Sequence, residues 1–138
     1  MSEKKRVLFL CTGNSARSQM AEALLRQMAS DRFEVASAGT SPKGLHPATV
    51  ETMKEIGIDV TGQTSKDVAQ FLNQKFDYVI TVCDRAKQHC PIFPGAEPIH
   101  WGFDDPAEAA TVNQTEVFRR VREEIRKRLG LFLMTGRG

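Results

Sequence analysis

The sequence predicts an α/β domain built on a four-stranded parallel sheet flanked by helices. Three observations predict it. Short apolar runs alternate along the chain with amphipathic segments of helical period, the pattern of crossover units with right-handed connections. The runs "VLFL" and "DYVITVC" are continuously apolar, as in strands covered on both faces. The chain has 138 residues without an internal repeat or long linker, which argues for a single domain over 1–138.

Each element has its own justification. Arg6 to Leu10 is the first strand. Ala16 to Met28 reads as a helix, with Met20, Leu24, Leu25 and Met28 on one face. "FEVASAGT" is the second strand. "HPATVETMKEIGI" is a helix, with Pro47 suited to its first turn and Gly57 near its end. "SKDVAQFLNQ" reads as another helix, with Ser65 as its N-cap. "DYVITVC" and "EPIHW" are the third and fourth strands. Residues 114 to 132 form the last helix, with the stripe Phe118, Val121, Ile125, Leu129 and Phe132. On its wet side Glu123–Lys127 and Glu124–Arg128 are candidate i,i+4 pairs.

Composition narrows the function classes. Hydrophobic residues make up 41% and charged residues 26%, ordinary for a globular protein, and the formal net charge of +2 is too mild for a nucleic-acid or membrane surface. The apolar run after "MSEKKR" is too short for a secretory signal, and no run is long enough to cross a bilayer, so the expected location is the cytoplasm. Three cysteines, Cys11, Cys83 and Cys90, in a reducing compartment are core residues, metal ligands or reactive thiols, not a disulfide framework.

In parallel sheets, chemistry gathers beyond the carboxyl ends of the strands. Cys11 ends the first strand, Cys83 ends the third, and Asp104 and Asp105 follow the fourth. Between Cys11 and Arg17 lies "TGNSA", a loop leading into a helix N-terminus. The N–H groups of Thr12, Gly13, Asn14, Ser15, Ala16 and Arg17 are candidate donors to a tetrahedral oxyanion. The Arg17 guanidinium adds a planar fork. In that positive environment the Cys11 thiol is expected to ionise more readily than usual. Gly13 and Asn14 tolerate unusual backbone angles. The Ser18 hydroxyl can donate to the thiolate. Asp105 precedes Pro106, which biases it toward an extended conformation that can aim its carboxylate. A bland reading stays open for each: a buried hydrophobic cysteine, a turn at "FDDP", structural histidines at His46 and His100. A zinc site from Cys83, His89, Cys90 and His100 is disfavoured by its spacing, and no metal is expected.

"CTGNSARSQMAEALL" resembles the phosphate-binding loop of the low-molecular-weight protein tyrosine phosphatase fold. It looks most like the thioredoxin-coupled arsenate reductases built on that fold. "SAGT", "GIDVTGQTS", "YVITVCDRAKQHCP" and "HWGFDDPAE" extend the resemblance over almost the whole chain. The resemblance implies reduction of arsenate to arsenite by a relay of three cysteines. Cys11 matches the nucleophile, Arg17 the oxyanion clamp, Ser18 the thiolate donor and Asp105 the general acid. Cys83 and Cys90 match relay thiols that end as a disulfide reduced by thioredoxin. No tightly bound cofactor is implied, and phosphate or sulfate would mimic the substrate.

The alternative is a phosphatase hydrolysing monoesters through a phosphocysteine. Reduction of As(V) to As(III) takes two electrons, which a second thiol supplies and hydrolysis does not need. The phosphatase branch usually carries Asp-Pro-Tyr where this chain has Asp-Pro-Ala, so walls for a phenyl ring are missing from the motif. Two further departures stand out. Many related reductases have a cysteine at the position of Ala16. Some bind potassium through residues matching Asn14, Glu22, Ser37 and an aspartate that aligns with Lys66. The Lys66 ammonium is expected either to replace that ion or to be a solvated surface charge.

Overall fold

The computed structural model describes residues 4–135. Four strands, β1 (Lys5–Cys11), β2 (Phe33–Gly39), β3 (Tyr78–Thr81) and β4 (Glu97–His100), form one parallel sheet in the order β2-β1-β3-β4. Four α-helices accompany them: α1 (Arg17–Ala29), α2 (Pro47–Lys54), α3 (Asp84–His89) and α4 (Gln114–Thr135). The central strand β1 is fully buried from Val7 to Leu10, as its unbroken apolar run requires. Phe118, Val121, Ile125, Leu129 and Phe132 of α4 are all buried in the same core. Met28, expected on the apolar face of α1, is 38% exposed, whereas Ala29 beside it is buried.

Three expectations of local structure change. The segment from Ser65 is not a helix: a 3₁₀ turn spans only Val68–Phe71, and Asp67, not Ser65, caps it by accepting from the Ala69 N–H. The residues before it are drawn out against the end of β2, where the Gly39 N–H donates to the Lys66 carbonyl at 2.8 Å. A helix cannot start while those groups are engaged there. α2 stops at Lys54, short of the expected Ile58, because Gly57 takes a φ of 80° and turns the chain so that the Ile58 N–H reaches the Met53 carbonyl. On α4, Glu124 pairs backward with Arg120 and Glu123 with Arg122 and Arg126, whereas Arg128 lies over the Trp101 ring.

The register places the chemistry. Cys11 pairs with Gly39, and Leu10 pairs with Thr81, two residues before Cys83. Thr81 in turn pairs with His100, five residues before Asp105. Three strand ends therefore open onto one edge of the sheet.

Candidate active site

The loop from Cys11 to Arg17 is built by outward-turned carbonyls. The Cys11, Thr12, Gly13 and Ser15 carbonyls accept from the N–H groups of Thr40, Ser41, Lys43 and His46 at 2.8–3.2 Å. The Ser65 hydroxyl also donates to the Gly13 carbonyl, and the Gln19 amide donates to that of Asn14. With the carbonyls held outward, the peptide N–H groups are free to converge on the cleft side. At the start of α1, Ala16 supplies no side-chain cap, so the first-turn donors of that helix also face the loop.

The loop's strained residue is Asn14, the one non-glycine residue with positive φ, 46°, among those described. Gly13, the other candidate, keeps an ordinary φ. Asn14 tolerates the left-handed region, and its side chain is pinned on three sides. Its amide donates to the Ser18 hydroxyl at 2.8 Å and the Ser37 hydroxyl at 2.9 Å, and its Oδ1 accepts the Lys66 N–H at 2.8 Å. Sequence reasoning missed Gly39. A Cβ there would stand 2.5 Å from the Thr12 carbonyl oxygen, so only glycine lets β2 pass under the loop. The small-residue run "SAGT" is the signal that could have found it.

Cys11 is buried, with its Sγ 2.8 Å from the Ser18 hydroxyl and 3.2 Å from the Asn14 N–H. Burial pushes its thiol up from the ordinary value. Ser18, the Arg17 charge and the Asn14 N–H pull the other way without prevailing. The expected net lowering is corrected accordingly: the loop supplies the right donors, but desolvation at the end of a central strand outweighs them. Arg17 donates to the Phe103 carbonyl at 3.1 Å, and its other terminal nitrogen lies 3.4 Å from Asp105. Asp105 is aimed by its own cap, accepting the Ala107 N–H at 3.0 Å where a 3₁₀ turn begins at Pro106. Asp104, the other carboxylate of the pair, points away to Arg120.

Cys11, Arg17, Cys83 and Asp105 line one cleft of about 610 Å³. Cys83 is buried, lies 3.4 Å from the Thr12 hydroxyl, and caps α3 by accepting the Ala86 N–H. Cys90 sits at the other end of α3, half-buried, its thiol against the Pro91 carbonyl and pushed up by burial. All three cysteines are free thiols. His100 joins neither Cys83 nor Cys90. It bonds Thr81 and Asp84, and no group of residues suited to a metal ion occurs among those described.

The side chains at the expected potassium position do not fit an ion. Glu22 Oε1 accepts from the Ser37 hydroxyl at 2.5 Å, Glu22 Oε2 is 2.6 Å from Arg26, and Asn14 Oδ1 is taken by Lys66 N–H. The ligand oxygens are thus already engaged. The Lys66 ammonium does not replace the ion either. It turns back on its own segment and donates to the Thr64 carbonyl at 2.8 Å.

Residues 6–135 match the model of the low molecular weight phosphotyrosine protein phosphatase family. The chain belongs to this family. Within it the chain is 50% identical over 137 residues to an arsenate reductase of Halalkalibacterium halodurans, covering 97% of this chain and 99% of that one. A solved arsenate reductase in a phosphate-binding state superposes with a TM-score of 0.79 at 31% identity, covering 94% of this chain and 97% of the other. A thioredoxin-dependent arsenate reductase of Corynebacterium glutamicum aligns with a TM-score of 0.74 at 30% identity, over 97% of this chain and 64% of that one. No helix among the described residues is long and apolar enough to cross a membrane.

Proposed function

We propose that this protein reduces arsenate to arsenite with three cysteines and takes its electrons from thioredoxin. The observation that carries the proposal is one cleft holding an oxyanion loop, its thiol Cys11 and a second thiol, Cys83, that caps a short helix ending at a third, Cys90. The likeness to arsenate reductases over nearly the full length supports it.

In this reading arsenate binds to the N–H groups of residues 12–17 and to Arg17. A bound arsenate oxygen takes the Cys11 proton, the resulting thiolate, steadied by Ser18, attacks arsenic, and Asp105 protonates the departing oxygen as water leaves. A Cys11 Sγ–As(V) bond results. The Cys83 thiolate then attacks Cys11 Sγ. The S–As bond breaks with its electron pair moving to arsenic, which leaves as arsenite, and a Cys11–Cys83 disulfide forms. Cys90 attacks Cys83 Sγ and frees the Cys11 thiolate. A thioredoxin dithiol reduces the Cys83–Cys90 bond, so two thioredoxin thiols supply the two electrons. The cytoplasm keeps such thiols reduced between turnovers.

Hydrolysis of phosphate monoesters is a second reading, favoured by family membership and by a cleft much larger than an oxyanion. Against aryl esters, no Phe, Tyr or Trp is among the described residues that line it. Arsenate-dependent NADPH consumption with thioredoxin and its reductase, run beside hydrolysis of a chromogenic phosphate ester, separates the two. Arsenate turnover that needs all three cysteines supports reduction. Hydrolysis without arsenate turnover overturns it.

A further inference from the structure

Glu22 is a buried carboxylate in the middle of α1 that the chemistry above does not use. It ends a hydrogen-bonded chain that starts at the nucleophile. Cys11 Sγ meets the Ser18 hydroxyl at 2.8 Å, Ser18 meets the Asn14 amide at 2.8 Å, Asn14 meets the Ser37 hydroxyl at 2.9 Å, and Ser37 donates to Glu22 at 2.5 Å. Asn14, Ser18 and Ser37 are fully buried. A carboxylate in such surroundings needs a counter-charge, because a buried charge without one is strongly destabilising. That charge comes from one turn further along α1. Arg26 Nη2 is 2.6 Å from Glu22 Oε2, with the Glu22 side chain only 6% exposed. The same guanidinium is fixed on its other sides by the Val35 carbonyl at 2.9 Å and the Gln63 side chain at 3.3 Å.

We propose that Arg26 is a positioning residue for the oxyanion loop: its guanidinium does what a bound cation would do for Glu22, and through Ser37 and Asn14 it fixes the hydroxyl and N–H groups that surround Cys11. Asn14 is the point of leverage. Its left-handed backbone is held by the network, and its N–H faces the thiol. If Glu22 loses its counter-charge, Ser37 and Asn14 lose their anchor and the loop relaxes. The inference rests on reading the loop as an oxyanion site, not on which reaction follows.

Calorimetric titration of the reduced protein with sulfate tests it, in choline chloride and in potassium chloride of equal ionic strength. The wild type should bind sulfate equally in both salts. Arg26→Gln should bind about tenfold more weakly in choline chloride, the scale of a coupling between linked sites. Potassium should recover part of that loss, because glutamine leaves Glu22 short of a positive partner. Arg26→Lys should bind like the wild type. Glu22→Gln combined with Arg26→Gln should bind no worse than Glu22→Gln alone and should ignore potassium, since Arg26 acts through Glu22. Wild-type affinity of Arg26→Gln in choline chloride, a loss that potassium leaves untouched, or a wild type that gains affinity in potassium would each overturn the proposal. Should Arg26→Gln fail to fold, the wild-type salt comparison and Arg26→Lys still decide. If the sulfate data come out as expected but arsenate is not reduced, only the reading in the preceding section fails.

Discussion

At Cys11 two forces oppose one another, and the Ser18 hydroxyl, 2.8 Å away, is the side-chain donor that counts most against burial. Removing it leaves desolvation less opposed. In a Cys83→Ala, Cys90→Ala background, the rate of Cys11 alkylation plotted against pH should therefore move to higher pH on adding Ser18→Ala. An unmoved midpoint would mean the hydroxyl does not stabilise the thiolate. Gly39 gives a second prediction of the same scale. With the Thr12 carbonyl 2.5 Å from an added Cβ, Gly39→Ala must shift either β2 or the loop. A strain of about 1–3 kcal/mol is expected, with oxyanion binding lost before the fold is. Thermal melts with and without sulfate read both effects, and a variant that still gains full stability from sulfate would refute it. The meeting of Cys11, the loop and Arg17 in one cleft was legible in the sequence, because a thiol, a loop and a guanidinium form a local motif. Gly39, Gln19 and Arg26 were not, since their roles depend on contacts with groups brought close only by the fold. The ionisation of Cys11 was misjudged for the same reason: spacing shows the donors but not the depth of burial.

Among the elements, α3 is the one that the proposed relay requires to change. Cys83 and Cys90 flank it, seven positions apart, which at ~1.5 Å per residue separates their Cα atoms by about 10.5 Å. A disulfide requires roughly 7 Å or less. The helix cannot survive formation of that bond. It is also cheap to lose, since Ala86 is its one buried residue and Pro91 prevents it from extending. Hydrogen exchange should show residues 84–90 losing protection in the oxidised protein while α1 keeps its own. Equal protection in both forms, with the disulfide confirmed by mass, would remove the switch. This short helix was not among the elements read from the sequence, because six mostly polar residues show too little periodicity to mark one. The segment around Ser65 was misread, because its polar and apolar residues have helical spacing while its backbone is claimed by the end of β2 and by the Asn14 side chain. Local periodicity carries no record of such a tertiary claim.

For the molecule as a whole, the sheet and the core follow from patterns that the chain displays openly, namely unbroken apolar strands and the stripe of α4. The ion pairs that join helices do not, because a charge on a helix can pair up the helix, down it, or across to a neighbour with similar gain. The expected i,i+4 pairs of α4 give way to other pairs within the helix, and a cross-helix clamp stands beside them. Glu55, just beyond α2, takes Arg119 at 2.7 Å and Arg122 at 2.9 Å, and Arg122 also donates to the Thr52 carbonyl at 2.8 Å. The hydrogen bond from Arg119 holds the Glu55 carboxyl below the ordinary glutamate value, with Arg122 adding to it. A carboxyl whose pKa is lower in the folded state than in the unfolded one stabilises the fold above the unfolded value. That stability is lost as pH falls through the folded value. Glu55→Gln should therefore melt at a lower temperature than the wild type at pH 7. The gap should close as pH drops from about 4.3, the usual glutamate pKa, because the wild-type carboxyl then becomes protonated and resembles the neutral amide. Melting curves at pH 7, 5 and 3 measure it, and a gap that stays constant down to pH 3 would show that the α2–α4 junction is held by packing and the Arg122–Thr52 bond rather than by the charge on Glu55.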